Sequence, residues 1–111
     1  MHWKIIKSET KFINPWWTYI VDVFETNKGV QGEYHKIKTR GSSMVVPLLA
    51  DGRVALIKEY RYITDRTSWE FPCGQRKEKE TFEECARAEM QEETGFTAGE
   101  LINVGEFTPY S

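Results

Sequence analysis

The sequence predicts an α+β fold, several antiparallel strands packed with a single helix, and three observations carry that prediction. Short runs rich in β-branched and aromatic residues recur between Gly, Pro, Asn and Asp turn signals. Only residues 81–94 combine helical periodicity with signals for both helix ends. The strand-like runs mostly precede that helix instead of alternating with helices, which is the α+β order.

Residues 17–24 (WTYIVDVF) read as a strand that follows the Asn14-Pro15 breaker. Residues 30–39 alternate loosely and read as its partner across an Asn27-Lys28-Gly29 turn. Residues 43–50 (SMVVPLLA) read as a largely buried strand, with Pro47 pointing to an edge or a bulge. Asp51-Gly52 is a hairpin signal, so residues 53–60 (RVALIKEY) are expected to return antiparallel. Residues 69–71 read as a short strand stopped by Pro72, and residues 101–107 as a last strand. Arg40-Gly41-Ser42 suits a join. Residues 1–40 are therefore expected to form a separate small β element, and residues 41–111 the main domain.

The helix is marked at both ends. Thr81 and Glu84 have the spacing of a capping box, and Gly95 stands where a helix-terminating glycine belongs. Phe82, Cys85, Ala86 and Met90 form an apolar stripe. Glu89, Glu92 and Glu93 stand at i, i+3 and i+4, so they share a face and repel by about a few tenths of a kcal/mol per pair. They also sit at the C-terminal end of the helix, where the macrodipole disfavours anions. A divalent cation is the economical compensation, and Mg²⁺ takes a few carboxylates together with phosphates and water. For the triplet alone, an exposed acidic helix end is the competing reading.

Composition narrows the partners. The 111 residues are 40% hydrophobic and 29% charged, an ordinary globular balance in a chain of single-domain length. At that size about 65% of the unfolded surface can be buried. A net charge of −2 offers no basic field, so no nucleic-acid partner is expected. No run reaches membrane-spanning length, and the N-terminus has no signal-peptide core, so no membrane partner is expected. Two cysteines do not make a disulfide framework, which points to a reducing, cytoplasmic setting. Lys58, Arg61, Arg66, Arg76 and Lys77 precede the acidic block of residues 78–93. That juxtaposition suits an anionic small molecule, and equally suits plain surface mixing.

The wider spacing is more specific. Gly74, five residues, Glu80, eight residues, Glu89, two residues, Glu92-Glu93, one residue, Gly95 and then Phe96 resembles the Nudix box, a signature that binds a metal and a diphosphate. Upstream, EYRYITDRTSWEFPCG is similar to the lead-in of the ADP-ribose and nucleoside-diphosphate-sugar pyrophosphatases of that family. Downstream, VGEFTPYS is similar to the segment after the helix in the same group. The resemblance implies a Nudix-like mixed sheet with the Nudix helix, plus an N-terminal antiparallel β element through which such proteins dimerise. It also implies further C-terminal elements, a loop carrying another catalytic carboxylate and a closing helix, which the chain ending at Ser111 is expected to lack.

By position, the resemblance makes Glu89 and Glu93 direct ligands of Mg²⁺, with Mn²⁺ as the alternative ion. Glu92 becomes a further ligand or the base for water, and the backbone carbonyl of Cys73 another ligand. Glu80 would orient the helix carboxylates, and Arg61 and Glu70 would face the diphosphate and its metals. Trp17, or Trp16, is the candidate for stacking on a base, against the weightier alternative of core or dimer packing.

One position departs from the box. Arginine normally precedes the first helix glutamate, and here Ala88 stands there. Arg87 is rotated about 100° around the helix and is no simple substitute. The expected function is Mg²⁺-dependent hydrolysis of the pyrophosphate bond in ADP-ribose or a nucleoside-diphosphate sugar. The alternative is a degenerate domain that binds a nucleotide without efficient hydrolysis. A homodimer is expected.

Overall fold

The structure, a computed structural model, describes residues 2–109. The chain divides into two compact units, Met1–Gly41 and Ser42–Ser111.

The first unit is an antiparallel meander of three strands, β1 (Lys4–Ile13), β2 (Thr18–Glu25) and β3 (Gln31–Lys38), with β2 in the middle. Side-chain oxygens build both of its turns. Asn14 Oδ1 accepts the N–H groups of Trp16 and Trp17, each at 2.9 Å, and so closes the first turn. Thr26 Oγ1 accepts those of Lys28 and Val30, and Gly29 takes the left-handed φ of 78° that the second turn requires. Only the central strand is buried, at Val21 and Asp22. Asp22 is satisfied there by the Ser8 hydroxyl at 2.6 Å and by the Lys36 ammonium. Those partners, Lys36 first, hold its carboxyl below the usual range. Trp3 stacks on Phe24 with ring centroids 4.5 Å apart. Phe24 in turn lies over Gly32, where a Cβ would meet the ring at 2.8 Å.

β1 went unread in the sequence because its pattern is broken twice. Register shifts between Ile5 and Lys7 and between Thr10 and Phe12 each insert a residue. The apolar residues then fall in adjacent pairs, Ile5-Ile6 and Phe12-Ile13, and strand alternation disappears.

In the second unit β4 (Ser42–Met44) pairs with β7 (Cys73–Gln75), and β5 (Ile57–Arg61) pairs with β6 (Arg66–Glu70) around a 3₁₀ turn at Tyr62–Thr64. All ladders among the described residues are antiparallel. The helix α1 spans Phe82–Thr94. Thr81 Oγ1 accepts the Glu84 N–H at 3.0 Å, a cap worth about 1 kcal/mol. Gly95 ends the helix at φ 76°, its N–H on the Gln91 carbonyl. Cys85 and Met90 supply the buried part of the predicted stripe, whereas Phe82 is half exposed beneath the Arg76 guanidinium. The Ser43 hydroxyl donates to the Phe82 carbonyl and the Cys85 thiol to the Gly74 carbonyl, which fixes the helix on β4 and β7.

One expectation holds in shortened form and one is corrected. Residues 53–55 return antiparallel on residues 47–49 around the Gly52 turn, where Leu48 bridges Val54, Leu49 N–H donates to the Arg53 carbonyl at 2.8 Å and Ala55 N–H to the Pro47 carbonyl at 3.1 Å, whereas Ser42–Met44 and Ile57–Arg61 pair with β7 and β6. Pro47 donates no ladder bond and lies fully buried, which stops strand propagation at that point. Residues 101–107 form no strand. The Asn103 side chain instead accepts the Gly105 N–H at 2.9 Å, a local turn that competes with extended pairing. The last two residues of VGEFTPYS, Tyr110 and Ser111, lie outside the described residues.

Candidate active site

The site begins where β7 meets α1. Gly74 has no side chain, and the Glu89 carboxylate fills the space that one would take. A Cβ on Gly74 would stand 2.1 Å from that carboxylate. One turn on, Glu93 reaches the same strand, its Oε2 accepting the Cys73 N–H at 3.2 Å. The i, i+4 spacing therefore lays two carboxylates side by side along β7.

Their electrostatics are unfavourable without a cation. Burial, then the charges of Glu93 and Glu92, push the Glu89 carboxyl upward, with Glu80 adding to the effect and Lys77 opposing it. Burial, then the charges of Glu93 and Glu89, push the Cys73 thiol up as well. A positive charge beside Glu89 would relieve the part of its upward shift that its acidic neighbours cause. The donors fit a hard divalent cation: carboxylate oxygens of Glu89 and Glu93, with the Cys73 main chain against them. Among the described residues no three His, Cys, Asp or Glu side chains are gathered into a ready-made cage.

The other predicted residues are distributed as follows. Glu92 is exposed on the helix and reaches Glu89 through its charge. The Glu80 carboxylate accepts the Lys77 N–H at 3.1 Å, closing the loop before the helix, and its charge also acts on Glu89. Arg61 and Glu70 are brought together across the β5–β6 ladder as a bidentate pair, Nη2 to Oε1 at 2.7 Å and Nε to Oε2 at 2.9 Å. Arg61 first, then the Ser68 hydroxyl, lowers the Glu70 carboxyl to about 2. Trp17 belongs to the first unit, where its ring packs at 5.7 Å from Phe12. A cleft of about 380 Å³ lies beside Glu93, between Leu56, Lys58 and Glu59 on one side and Thr94 and Phe96 on the other.

Arg87 does not face this edge. Its guanidinium donates to the carbonyls of Ala98 and Gly99 at 2.9 and 3.0 Å and to Glu83 at 3.1 Å. Ser68 was not singled out from the sequence. Its signal was its place two residues before Glu70, on the same strand face.

The family model described as NUDIX domain matches residues 38–111. The chain belongs to the Nudix family. Its box is the loop and helix just described, and the α+β architecture is that of the family. The Nudix chain is 32% identical over 89 residues to the ADP-ribose pyrophosphatase of Bacillus subtilis (strain 168), covering 80% of this chain and 48% of that protein. A crystal structure of an ADP compounds hydrolase superposes with a TM-score of 0.74 at 27% identity, covering 90% of this chain and 55% of that one. The chain thus spans about half the length of these relatives.

Proposed function

We propose that this Nudix chain carries the catalytic edge of a hydrolase that cleaves the pyrophosphate bond of a nucleoside diphosphate linked to another group, with ADP-ribose the leading substrate and nucleoside-diphosphate sugars next. The carrying observation is the Glu89 carboxylate seated on Gly74 beside Glu93. Glu89, Glu93 and the Cys73 carbonyl hold the ion, Mg²⁺ or Mn²⁺, with Glu92 at its margin. Bound there, the ion neutralises the diphosphate and makes water a better nucleophile. Glu92 or Glu93 accepts the proton of the attacking water. Arg61 binds the diphosphate, its half-exposed guanidinium held in place by Glu70 through Nε and Nη2. Glu80 holds the loop that carries Gly74 toward the helix. Trp17 lies in the first unit, and its contact with Phe12 favours packing over stacking on a base.

Incubation with ADP-ribose and Mg²⁺ is expected to yield AMP and ribose 5-phosphate. Turnover no greater than that of Glu93→Gln, across ADP-ribose and a set of nucleoside-diphosphate sugars, would remove this reading. One observation favours a second reading, nucleotide binding without efficient hydrolysis: Ala88 offers no cation and Arg87 is engaged elsewhere. Metal-dependent binding with intact ligand recovered would select it.

The first unit, residues 1–40 in the sequence reading, serves as a dimerisation element. β1 is exposed along its whole length, with Trp3, Ile5, Ile6, Phe12 and Ile13 open to solvent. A homodimer is the expected state, and a monodisperse monomer at micromolar concentration would contradict it. Both cysteines are free thiols, in keeping with a reducing, cytoplasmic setting.

A further inference from the structure

We propose that the cleft beside Glu93 is the subsite for a sugar that follows the diphosphate, and that the Glu59 carboxylate recognises this sugar by its hydroxyl groups. The inference rests on the hydrolase reading above and names the substrate feature that the site selects. The cleft runs between β5 and the C-terminal end of α1. Its volume of about 380 Å³ lies at the small end of ligand cavities, which span roughly 300–1,000 Å³. Such a space holds one sugar-sized group. The half-exposed Leu56 and Phe96 give it apolar walls, against which the C–H face of a sugar ring can pack.

Glu59 joins the two parts of the site. Alternation along β5 puts it on the strand face that carries Arg61, with Ser68 opposite it on β6. It also lines the cleft together with Glu93. It thus shares a strand face with the arginine assigned to the diphosphate, and a cleft with a carboxylate assigned to the metal. Among the described residues, no hydrogen bond or ion pair engages its half-buried carboxylate. Such a group calls for a donor from outside the chain. Lys58 lines the same cleft, but its ammonium lies over the Trp69 ring, 5.8 Å from the centroid. An ionised carboxylate accepts strong hydrogen bonds from hydroxyls and repels phosphate. The subsite therefore favours a neutral polyhydroxyl group over a further phosphate, and nucleoside-diphosphate-linked sugars over nucleoside triphosphates.

The test uses the full chain, Glu59→Ala and Glu59→Gln, with three probes. These are ADP-ribose, ATP, and the terminal methyl ester of ADP, which keeps the diphosphate and lacks the sugar. In wild type, kcat/KM for ADP-ribose should exceed that for either other probe by at least about tenfold. Glu59→Ala should lower kcat/KM for ADP-ribose about tenfold and leave the methyl ester within about twofold. Glu59→Gln keeps an acceptor oxygen without the charge, so it should retain part of the ADP-ribose preference and gain about threefold on ATP. A merely structural glutamate would lower ADP-ribose and the methyl ester together, and that result would overturn the inference. So would a Glu59→Ala protein that matches wild type on all three probes, or a wild type without preference among them. If wild type turns over none of the probes, the hydrolase reading fails, and calorimetry with the same probes decides the subsite. Tighter binding of ADP-ribose than of the methyl ester, lost in Glu59→Ala, would uphold it; equal binding, or none, would overturn it.

Discussion

Asp22 in the three-stranded sheet and Glu89 on the helix are both carboxylates drawn out of water, and they respond in opposite directions. Asp22 has an ammonium and a hydroxyl against it, and its carboxyl is held below the ordinary range. Glu89 has its carboxyl pushed up, first by burial and then by the charges of Glu93 and Glu92. The first is a solved electrostatic problem and the second an open one. A fold keeps an unsolved cluster of like charge when something outside the chain is to complete it. On the proposed function, the comparison separates a carboxylate that serves stability from one that would hold a metal ion.

The largest expected effect breaks the comparison at its functional end. Glu93→Gln should lower turnover by at least about 100-fold, because a charged donor aimed at the reacting centre is removed. Thermal stability of the metal-free protein should hold or rise, since one repelling charge is gone. Gly74→Ala comes next. Its methyl would displace the flexible end of Glu89, so kcat should fall about tenfold to 100-fold with only a small shift in melting temperature. Circular dichroism melts run beside the kinetics separate these outcomes.

Asp22→Asn sharpens the other end. It leaves Lys36 without its anionic partner, so the melting temperature should fall by a few degrees while turnover per folded molecule stays unchanged. The smallest effect belongs to the Arg61–Glu70 pair. Glu70 falls from the ordinary 4.5 to about 2 in the fold, so its contribution to stability is complete above about pH 4.5 and is lost as pH falls toward 2. The pair is exposed enough for solvent to weaken it. Melting temperature against pH should therefore decline slightly less steeply below pH 4.5 in Glu70→Gln than in wild type.

The parts legible in the sequence were those with local causes. Thr81 and Gly95 marked the helix ends by their own hydrogen bonds and φ angles, and the spacing of Glu89, Glu92 and Glu93 put them on one face. Strand pairing has no such local cause. Residues 53–60 split between two partners: residues 53–55 meet the run before Gly52 in a short antiparallel contact, and Ile57–Arg61 pairs with β6 across the Tyr62–Thr64 turn. Residues 101–107 read as a last strand, and a single asparagine turn set a different path. β1 was hidden by its two bulges. In the site, the sequence placed the carboxylates on one face, but not the Gly74 space that receives Glu89, nor the Ser68 hydroxyl behind Glu70. Those depend on where side chains end, which spacing alone does not contain.

Titration with Mn²⁺ in the presence of ADP-ribose, followed by electron paramagnetic resonance on wild type, Glu89→Gln and Asp22→Asn, tests the central claim most directly. The account predicts that wild type and Asp22→Asn retain the ion alike and that Glu89→Gln loses most of that affinity. Equal retention by all three proteins, or none by any, would contradict it.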